Sequence, residues 1–223
     1  MRTVGWYDTG LVSYDEAFSL QTRLHSEIAC REREDLVLFQ ENYPVITAGR
    51  SADFEHLLWN AEKLEKEGYE LREVSRGGDM TCHCPGQLVI SPILHFREYE
   101  GIATVHDYLR ALEQSVIELL SLYGLSGERR EGMSGVWLGK SKLAAVGVAV
   151  SHSVTLHGAA VNVNCELERF EPIVACGLHG MGVSSLEKAG IGGLSLERVR
   201  GDWLGCFERV FGAETRELSS SQV

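Results

Sequence analysis

The chain has 223 residues, 44% of them hydrophobic, so it is long and apolar enough to bury one sizeable core. Its formal net charge of −11 at pH 7 disfavours bulk binding to nucleic acid, and an acidic partner could bind only at a local basic patch. No apolar run could span a membrane and the N-terminal MRTVGWYDTGLVSYDEAF lacks a signal core, so we expect a cytoplasmic protein whose six cysteines are free thiols.

Helical and strand patterns alternate through the first half of the chain. Ser13 and Glu16 form a capping box that opens the first predicted helix. Strands are predicted in DLVLFQEN and PVITAG, followed by a short helix that ends at Gly68 and a further strand. The stretch RGGDMTCHCPGQLVISPIL, residues 76–94, then predicts a turn at its two glycines and another strand.

The second half begins with the clearest helix, which Thr104 caps and Gly124 ends. Three β-rich runs with short connections follow, SGVWLG, KLAAVGVAVSH and HGAAVNVNC, and they predict an antiparallel meander. A glycine-rich loop then leads to a short helix that Ser184 and Glu187 would cap, and SLERVRGDWLGCFERVFG predicts the last helix. The polar residues 213–223 predict a flexible tail.

This order of elements predicts an α+β fold with helices flanking a mixed, mostly antiparallel sheet. We expect residues 1–212 to form a single domain, because no linker, internal repeat or low-complexity segment divides them. The sequence shows no βαβ alternation and no glycine motif of the Walker or dinucleotide-binding type.

The triplet Cys82-His83-Cys84 invites a metal-site interpretation. On a strand, the two cysteines would share one face and His83 would point the other way, so one ion could not easily collect all three. Zinc sites use wider cysteine spacing and a second ligand pair, which is absent here, so we expect no metal. A disulfide between cysteines this close would be strained. The alternative is two small packed residues beside a hydrogen-bonded core histidine.

Other candidates have both a structural and a functional interpretation. Lys142 starts an apolar strand, where its ammonium could simply extend to water. Cys176 could be a buried small hydrophobe, but an ammonium beside a thiol favours the reactive thiolate. His157 could hydrogen-bond within a site or within the core. Gly77 and Gly78 could form a plain turn or a backbone surface that a ligand approaches closely.

Four sequence blocks occur in the same order as in one enzyme family. They are ENYPVITAGR, RGGDMTCHCPGQLVISPI, GVWLGKSKLAAVGVAVSHSVTLHGAAVNVN and IVACGLHGMGVSSLE. Together they resemble the lipoyl(octanoyl) transferases over nearly the whole chain. The resemblance implies the catalytic domain shared with biotin and lipoate protein ligases. It also implies octanoyl transfer from acyl carrier protein to a lysine of lipoyl domains in 2-oxoacid dehydrogenases or of the glycine-cleavage H protein.

The resemblance also assigns roles to residues. Cys176 is implied as the acyl-accepting nucleophile and Lys142 as its partner, in a monomer that needs no cofactor. The implied acyl-binding residues are Arg76, Gly77, Gly78, Asp79, Met80, Thr81, Cys82, His83, Ala145, Val146, Gly147, Gly158, Ala159 and Ala160. Cys82 and Cys84 stand where the family has tyrosine and glycine, and they are expected to line the acyl pocket. Backbone N–H groups of Gly77, Gly78 or Gly147 are our hypothesis for the oxyanion site.

Two alternatives stay open. An ATP-dependent lipoate or biotin ligase of the same fold would form an acyl-adenylate and need no nucleophilic cysteine. A non-catalytic module would bind acyl carrier protein or a lipoyl domain without forming an acyl-enzyme. Because acyl carrier proteins and many lipoyl domains are acidic like this chain, we expect a basic patch at the site mouth, formed by Arg50, Arg129, Arg130 and Lys140.

Overall fold

The computed structural model describes residues 2–174 and 181–223, which form helices on two sides of a large sheet. The helices are α1 (Tyr14–Ala29), α2 (Ala61–Lys66), α3 (Val105–Leu122) and α4 (Leu196–Phe211). The first strands are β1 (Arg2–Val12), β2 (Leu36–Asn42), β3 (Val45–Ala48), β4 (Glu70–Glu73), β5 (Met80–His83) and β6 (Gln87–Ile93). The later strands are β7 (Glu128–Arg130), β8 (Met133–Leu138), β9 (Ser141–Ser151), β10 (Val154–Asn162), β11 (Gly182–Val183) and β12 (Ala213–Glu217).

The strands form one large and one small sheet. In the large sheet the order is β12-β1-β2-β6-β10-β9-β8-β7, and β11 pairs with β9. The pairs β12–β1, β1–β2 and β11–β9 are parallel, whereas the run from β2 to β7 is antiparallel. The small sheet has the order β4-β3-β5. The predicted α+β fold with a mixed, mostly antiparallel sheet is confirmed, and so is the meander of β8, β9 and β10.

The main core lies on one face of the large sheet, under α3 and α4. Val146 and Val148 of β9 point into it and pack with Leu112 of α3 and Trp203 of α4. Because side chains alternate along a strand, the residues between these valines face the opposite side of the sheet. That opposite side carries α1 and the small sheet, and a cavity lies there.

The caps of the long helices follow the predictions, since they depend only on neighbouring residues. The Ser13 side chain accepts from the Glu16 N–H, and Glu16 closes the capping box of α1. Thr104 caps α3 through the Asp107 N–H. The short helix predicted with Ser184 as its cap is a single turn that Ser185 caps instead, since the Ser185 hydroxyl accepts from the Lys188 N–H at 3.1 Å. The turn ends soon afterwards at a glycine with positive φ, at position 190.

The two ends of the chain pair with each other. Arg2 to Trp6 of β1 lie beside Ala213 to Glu217 of β12 in parallel register. The Leu218 N–H then donates to the Trp6 carbonyl at 2.8 Å. This differs from the flexible tail expected from composition, because an edge strand can be polar and still satisfy its backbone through one neighbour. Within the described residues, no helix is long and apolar enough to cross a membrane.

Removing residues 213–223 should therefore destabilise the protein. The lost backbone hydrogen bonds and the newly exposed edge of β1 should lower the free energy of unfolding by about 2–4 kcal/mol in urea. A shorter truncation that removes only residues 219–223 keeps β12 and should lower it by less than half as much. Equal urea midpoints for the full chain and the longer truncation would show that the segment is a loose tail.

Candidate active site

A cavity of about 460 Å³ lies between the large sheet, α1 and the small sheet. Lys142 lines it, and so does every implied acyl-binding residue except Cys82. The structure thus brings together residues from the 76–83 segment, β9 and β10 that are distant in sequence. The volume of the cavity lies within the range typical of small-molecule sites.

The floor of the cavity is made of very small side chains. Ala145 and Gly147 of β9 lie opposite Ala160 and Gly158 of β10. These four positions face away from the main core, and their small size leaves the volume above the sheet open. At Gly147 an added Cβ would lie 3.1 Å from the Gly77 carbonyl oxygen, so glycine here also lets the 76–79 loop lie against β9.

The 76–79 loop is held by its own polar groups. The Arg76 guanidinium donates to the Thr47 carbonyl at 2.6 Å and to the Asp79 carbonyl at 2.8 Å. The Asp79 carboxylate contacts His56 Nδ1 at 2.6 Å. The Gly77 N–H donates to the Val148 carbonyl at 3.0 Å, so it is already engaged and does not suit the hypothesis of an oxyanion site. Arg76 and Asp79 therefore fix the wall of the cavity.

Lys142 is anchored rather than extended to water. Its Nζ donates to the Ser134 carbonyl at 2.8 Å and lies 4.8 Å from the centre of the Trp137 ring. Gly135 makes room for this arrangement: its φ is +113°, and an added Cβ would lie 2.5 Å from the Ala144 carbonyl oxygen. The β8–β9 register shifts between Val136 and Trp137, which breaks the regular ladder beside the lysine.

The second half of the expected dyad, Cys176, lies outside the described residues. The chain on its C-terminal side is described, and it runs along Lys142. Gly182 pairs with Ser141 and Val183 with Lys142, and the Ser184 N–H donates to the Lys142 carbonyl at 2.9 Å.

The Cys82-His83-Cys84 triplet is divided between two environments, as its strand position predicts. Cys82 and Cys84 are buried in a second core with Cys165, whereas His83 lines the cavity. The expectation that the two cysteines line the acyl pocket is wrong, because their side of the small sheet faces this second core. The hydrogen bond with Cys84 and burial raise the pKa of the Cys82 thiol, which keeps it protonated. Among residues 2–174 and 181–223, no cluster of three potential ligands could hold a metal ion.

A buried polar network that the sequence analysis missed connects the small sheet to β10. His83 Nδ1 contacts Gln87 Oε1 at 2.7 Å, and Gln87 Nε2 donates to Asn162 Oδ1 at 2.8 Å. Asn162 Nδ2 then donates to the Ser184 carbonyl at 2.9 Å, next to Lys142. The available signal was an amide side chain at one end of each of two mostly apolar strands, Gln87 at the start of β6 and Asn162 at the end of β10.

Two histidines of the cavity are neutral near pH 7. Burial lowers the pKa of His83 to about 4. Burial, followed by the charge of Arg76, lowers the pKa of His157 to about 4. His157 Nε2 contacts the Ser75 hydroxyl at 3.0 Å, and its ring stacks on Phe18 with centroids 5.5 Å apart. Both histidines therefore form hydrogen bonds in the wall of the cavity and carry no charge.

Helix α1 also contributes to the cavity, which the sequence analysis did not predict. Tyr14, Phe18 and Gln21 line it from above. The Tyr14 hydroxyl and Gln40 Oε1 are buried without a hydrogen-bond partner in the described structure. Burial raises the pKa of Tyr14 to about 12, so its hydroxyl stays protonated. The cavity thus has a polar region in addition to its floor of alanine and glycine.

Two of the residues expected to form a basic patch, Arg129 and Arg130, are engaged by the fold. Arg129 pairs with the buried carboxylate of Glu113 at 3.3 Å and donates to the Arg110 carbonyl at 2.9 Å. Arg130 lies 4.9 Å from the centre of the Trp137 ring and donates to the Gly139 carbonyl. The Arg129 guanidinium is therefore already paired within the fold, whereas a docking patch requires charges that are free at the surface.

Comparison with known proteins points to one family. Residues 13–208 match the family model described as the lipoyl protein ligase A/B catalytic domain. An octanoyltransferase of Nostoc punctiforme is 39% identical over 212 residues, covering 95% of this chain and 90% of the relative. An octanoyltransferase of Roseiflexus sp. is 43% identical over 189 residues, covering 83% of this chain and 78% of the relative.

Solved structures show the same fold at low sequence identity. A bipartite lipoate protein ligase from Thermoplasma acidophilum, studied with its E2 lipoyl domain, is similar with a TM-score of 0.72 and 16% identity. That comparison covers all of this chain and 89% of the other. A biotin protein ligase from Aquifex aeolicus has a TM-score of 0.52 and 12% identity, covering 95% and 69% of the two chains. At these identities the likeness establishes the fold alone.

The depressed pKa of His83 predicts acid sensitivity. In the folded state His83 takes up a proton only near pH 4, whereas a histidine in the unfolded chain takes one up near pH 6.5. Protonation therefore favours the unfolded chain, and the free energy of unfolding falls as the pH drops from 6.5 to 4. From pH 7 to pH 5, the wild-type free energy of unfolding should fall by roughly 1–2 kcal/mol more than that of His83→Asn. Urea unfolding at both pH values measures this difference. Parallel losses in the two proteins would contradict the assignment.

Proposed function

Since the chain belongs to the octanoyltransferases of the lipoyl protein ligase A/B family, we propose that it transfers octanoyl groups to lipoyl domains. The donor is octanoyl-acyl carrier protein. The acceptors are lysines in lipoyl domains of 2-oxoacid dehydrogenases and in the glycine-cleavage H protein. The enzyme acts as a monomer in the cytoplasm, and the reaction needs neither metal nor cofactor.

One observation carries this proposal: an anchored lysine borders a cavity whose floor is alanine and glycine. Ala145, Gly147, Gly158 and Ala160 provide a flat, largely apolar surface along which an unbranched acyl chain can lie. Lys142 lines the same cavity and brings an ammonium to the reacting end of such a chain. The implied acyl-binding residues other than Cys82 serve as its walls and floor.

The reaction proceeds in two acyl transfers. The Cys176 thiolate attacks the octanoyl thioester, and the carrier-protein thiolate leaves with a proton from Lys142. The acceptor lysine then attacks the Cys176 thioester, and the neutral Lys142 amine takes the proton that this nitrogen loses. An amide forms and the Cys176 thiolate is regenerated. The first transfer exchanges one thioester for another and the second runs downhill to an amide, so ATP is not required.

The chain around Cys176 supports its pairing with Lys142. β11 begins six positions after Cys176 and pairs with β9 at Ser141 and Lys142. An ammonium close to a thiol stabilises the thiolate, which is the nucleophilic form. Cys176 and Lys142 therefore act as a dyad, with Lys142 oriented by the Ser134 carbonyl.

The fold alone is compatible with a second reaction. A lipoate-protein ligase A whose structure was solved with ATP has a TM-score of 0.71 at 16% identity to this chain. A ligase of that kind would activate free octanoate with ATP. A non-catalytic module would instead bind the octanoylated carrier without accepting the acyl group. The ligase would form an octanoyl-adenylate and the binding module would form no covalent product, so both differ from an enzyme that forms an octanoyl thioester on Cys176.

Intact-mass spectrometry after incubation with octanoyl carrier protein, without ATP, should show one octanoyl group on the enzyme. Cys176→Ala should show none, because none of the described cysteines lines the cavity. Lys142→Ala should form the adduct at least tenfold more slowly. Cys30→Ala, which removes an exposed thiol elsewhere, is the matched control and should be acylated like the wild type.

The same assay distinguishes the alternatives. An octanoyl adduct that persists in Cys176→Ala would reject Cys176 as the nucleophile. Octanoyl-adenylate formed from octanoate and ATP, with no transfer from carrier protein, would show that the protein is a ligase. Binding of the carrier protein with no adduct under any condition would identify a non-catalytic module.

A further inference from the structure

A carboxylate that the proposed mechanism does not use lies fully buried behind Lys142. Glu113 is on α3 and its side chain has 0% exposure. Oε2 pairs with Arg110 at 2.7 Å and with Arg129 at 3.3 Å. Oε1 accepts the backbone N–H of Gly135 at 2.8 Å. A buried charge is costly unless it is paired, so this set of contacts defines a specific arrangement.

The Gly135 N–H and the Ser134 carbonyl belong to the same peptide group. A trans peptide points its N–H and its C=O in opposite directions. Glu113 therefore holds one end of this group, and Lys142 Nζ binds the other at 2.8 Å. The peptide dipole is favourable at both ends, with its N–H toward the carboxylate and its carbonyl toward the ammonium.

This peptide needs an external support. Gly135 has a φ of +113°, and the β8–β9 register shifts immediately after it. An added Cβ at Gly135 would lie 3.2 Å from Lys142 Cε, so the aliphatic part of the lysine rests directly on the glycine. A change in the orientation of this peptide would move the ammonium and the surface beneath it together.

We propose that Glu113 is a positioning residue for Lys142, acting through the Ser134–Gly135 peptide. Glu113 touches no substrate, and the inference rests on the proposed role of Lys142 in acyl transfer. Arg110 and Arg129 pair with Glu113 Oε2 and leave Oε1 aimed at the Gly135 N–H. The alternative is that Glu113 only joins α3 to the sheet, in which case its effect would not depend on Lys142.

Glu113→Gln tests the positioning of Lys142 by Glu113 through the Ser134–Gly135 peptide, which we call the relay, with almost no change in side-chain volume. The two arginines favour the amide oxygen, which turns the amide NH₂ toward the Gly135 N–H, where two donors oppose each other. We expect octanoyl transfer from carrier protein to Cys176 to slow by about tenfold, with little change in KM. Alkylation of Cys176 by iodoacetamide, followed by mass spectrometry of the peptide that contains it, should reach its half-maximal rate at a higher pH, because the ammonium is less well placed to stabilise the thiolate.

Glu118→Gln is the matched control. It makes the same chemical change on the same helix, but Glu118 pairs with Arg209 of α4 at 3.2 Å instead of with β8. Its transfer rate and alkylation profile should match those of the wild type. In a Lys142→Ala background, Glu113→Gln should change the alkylation rate less than twofold, because its effect passes through the lysine.

The outcomes separate the inference from the proposed function. If Lys142→Ala itself alkylates and acylates like the wild type, the dyad is rejected, and the relay with it. If Lys142→Ala is impaired but Glu113→Gln behaves like Glu118→Gln, only the relay is rejected. Equal effects of Glu113→Gln with and without Lys142 would also reject it. If Glu113→Gln does not fold, Glu113→Asp keeps the charge but shortens its reach to Gly135, and the same outcomes apply.

Discussion

The hydrogen bond from Lys142 Nζ to the Ser134 carbonyl is the contact around which the site is arranged. It requires a peptide in a conformation that only glycine adopts readily, an interrupted β8–β9 ladder, and an aromatic ring beside the ammonium. The same lysine pairs through its backbone with the chain that follows Cys176. One strand residue thus joins the proposed catalytic ammonium to the segment that carries the proposed nucleophile.

The two faces of β9 and β10 perform different tasks. Valines on one face belong to the main core, whereas Ala145, Gly147, Gly158 and Ala160 on the other leave the cavity open. Burial keeps His83 neutral, so the wall near the lysine forms hydrogen bonds without adding charge. The strands therefore stabilise the fold with large residues on one face and leave the cavity open with small residues on the other.

Local features of the site were predictable from the sequence, and long-range ones were not. The Ser13 cap and the division of Cys82 from His83 follow from neighbours and from strand alternation. The contact between Glu113 and Gly135 depends on how α3 packs against β8, which no local pattern encodes. The pairing of β12 with β1 joins the two ends of the chain, and a polar edge strand resembles a loose tail in composition.

The most direct test is a crystal structure of the protein after Cys176 has reacted with an alkyl chloromethyl ketone whose chain matches an octanoyl group. The alkyl chain should lie along Ala145, Gly147, Gly158 and Ala160, with its carbonyl within hydrogen-bond reach of Lys142 Nζ. Nζ should also keep its contact with the Ser134 carbonyl. An alkyl chain bound outside this cavity, or a carbonyl on the far side of the site from Lys142, would contradict the proposed roles of the cavity and of Lys142.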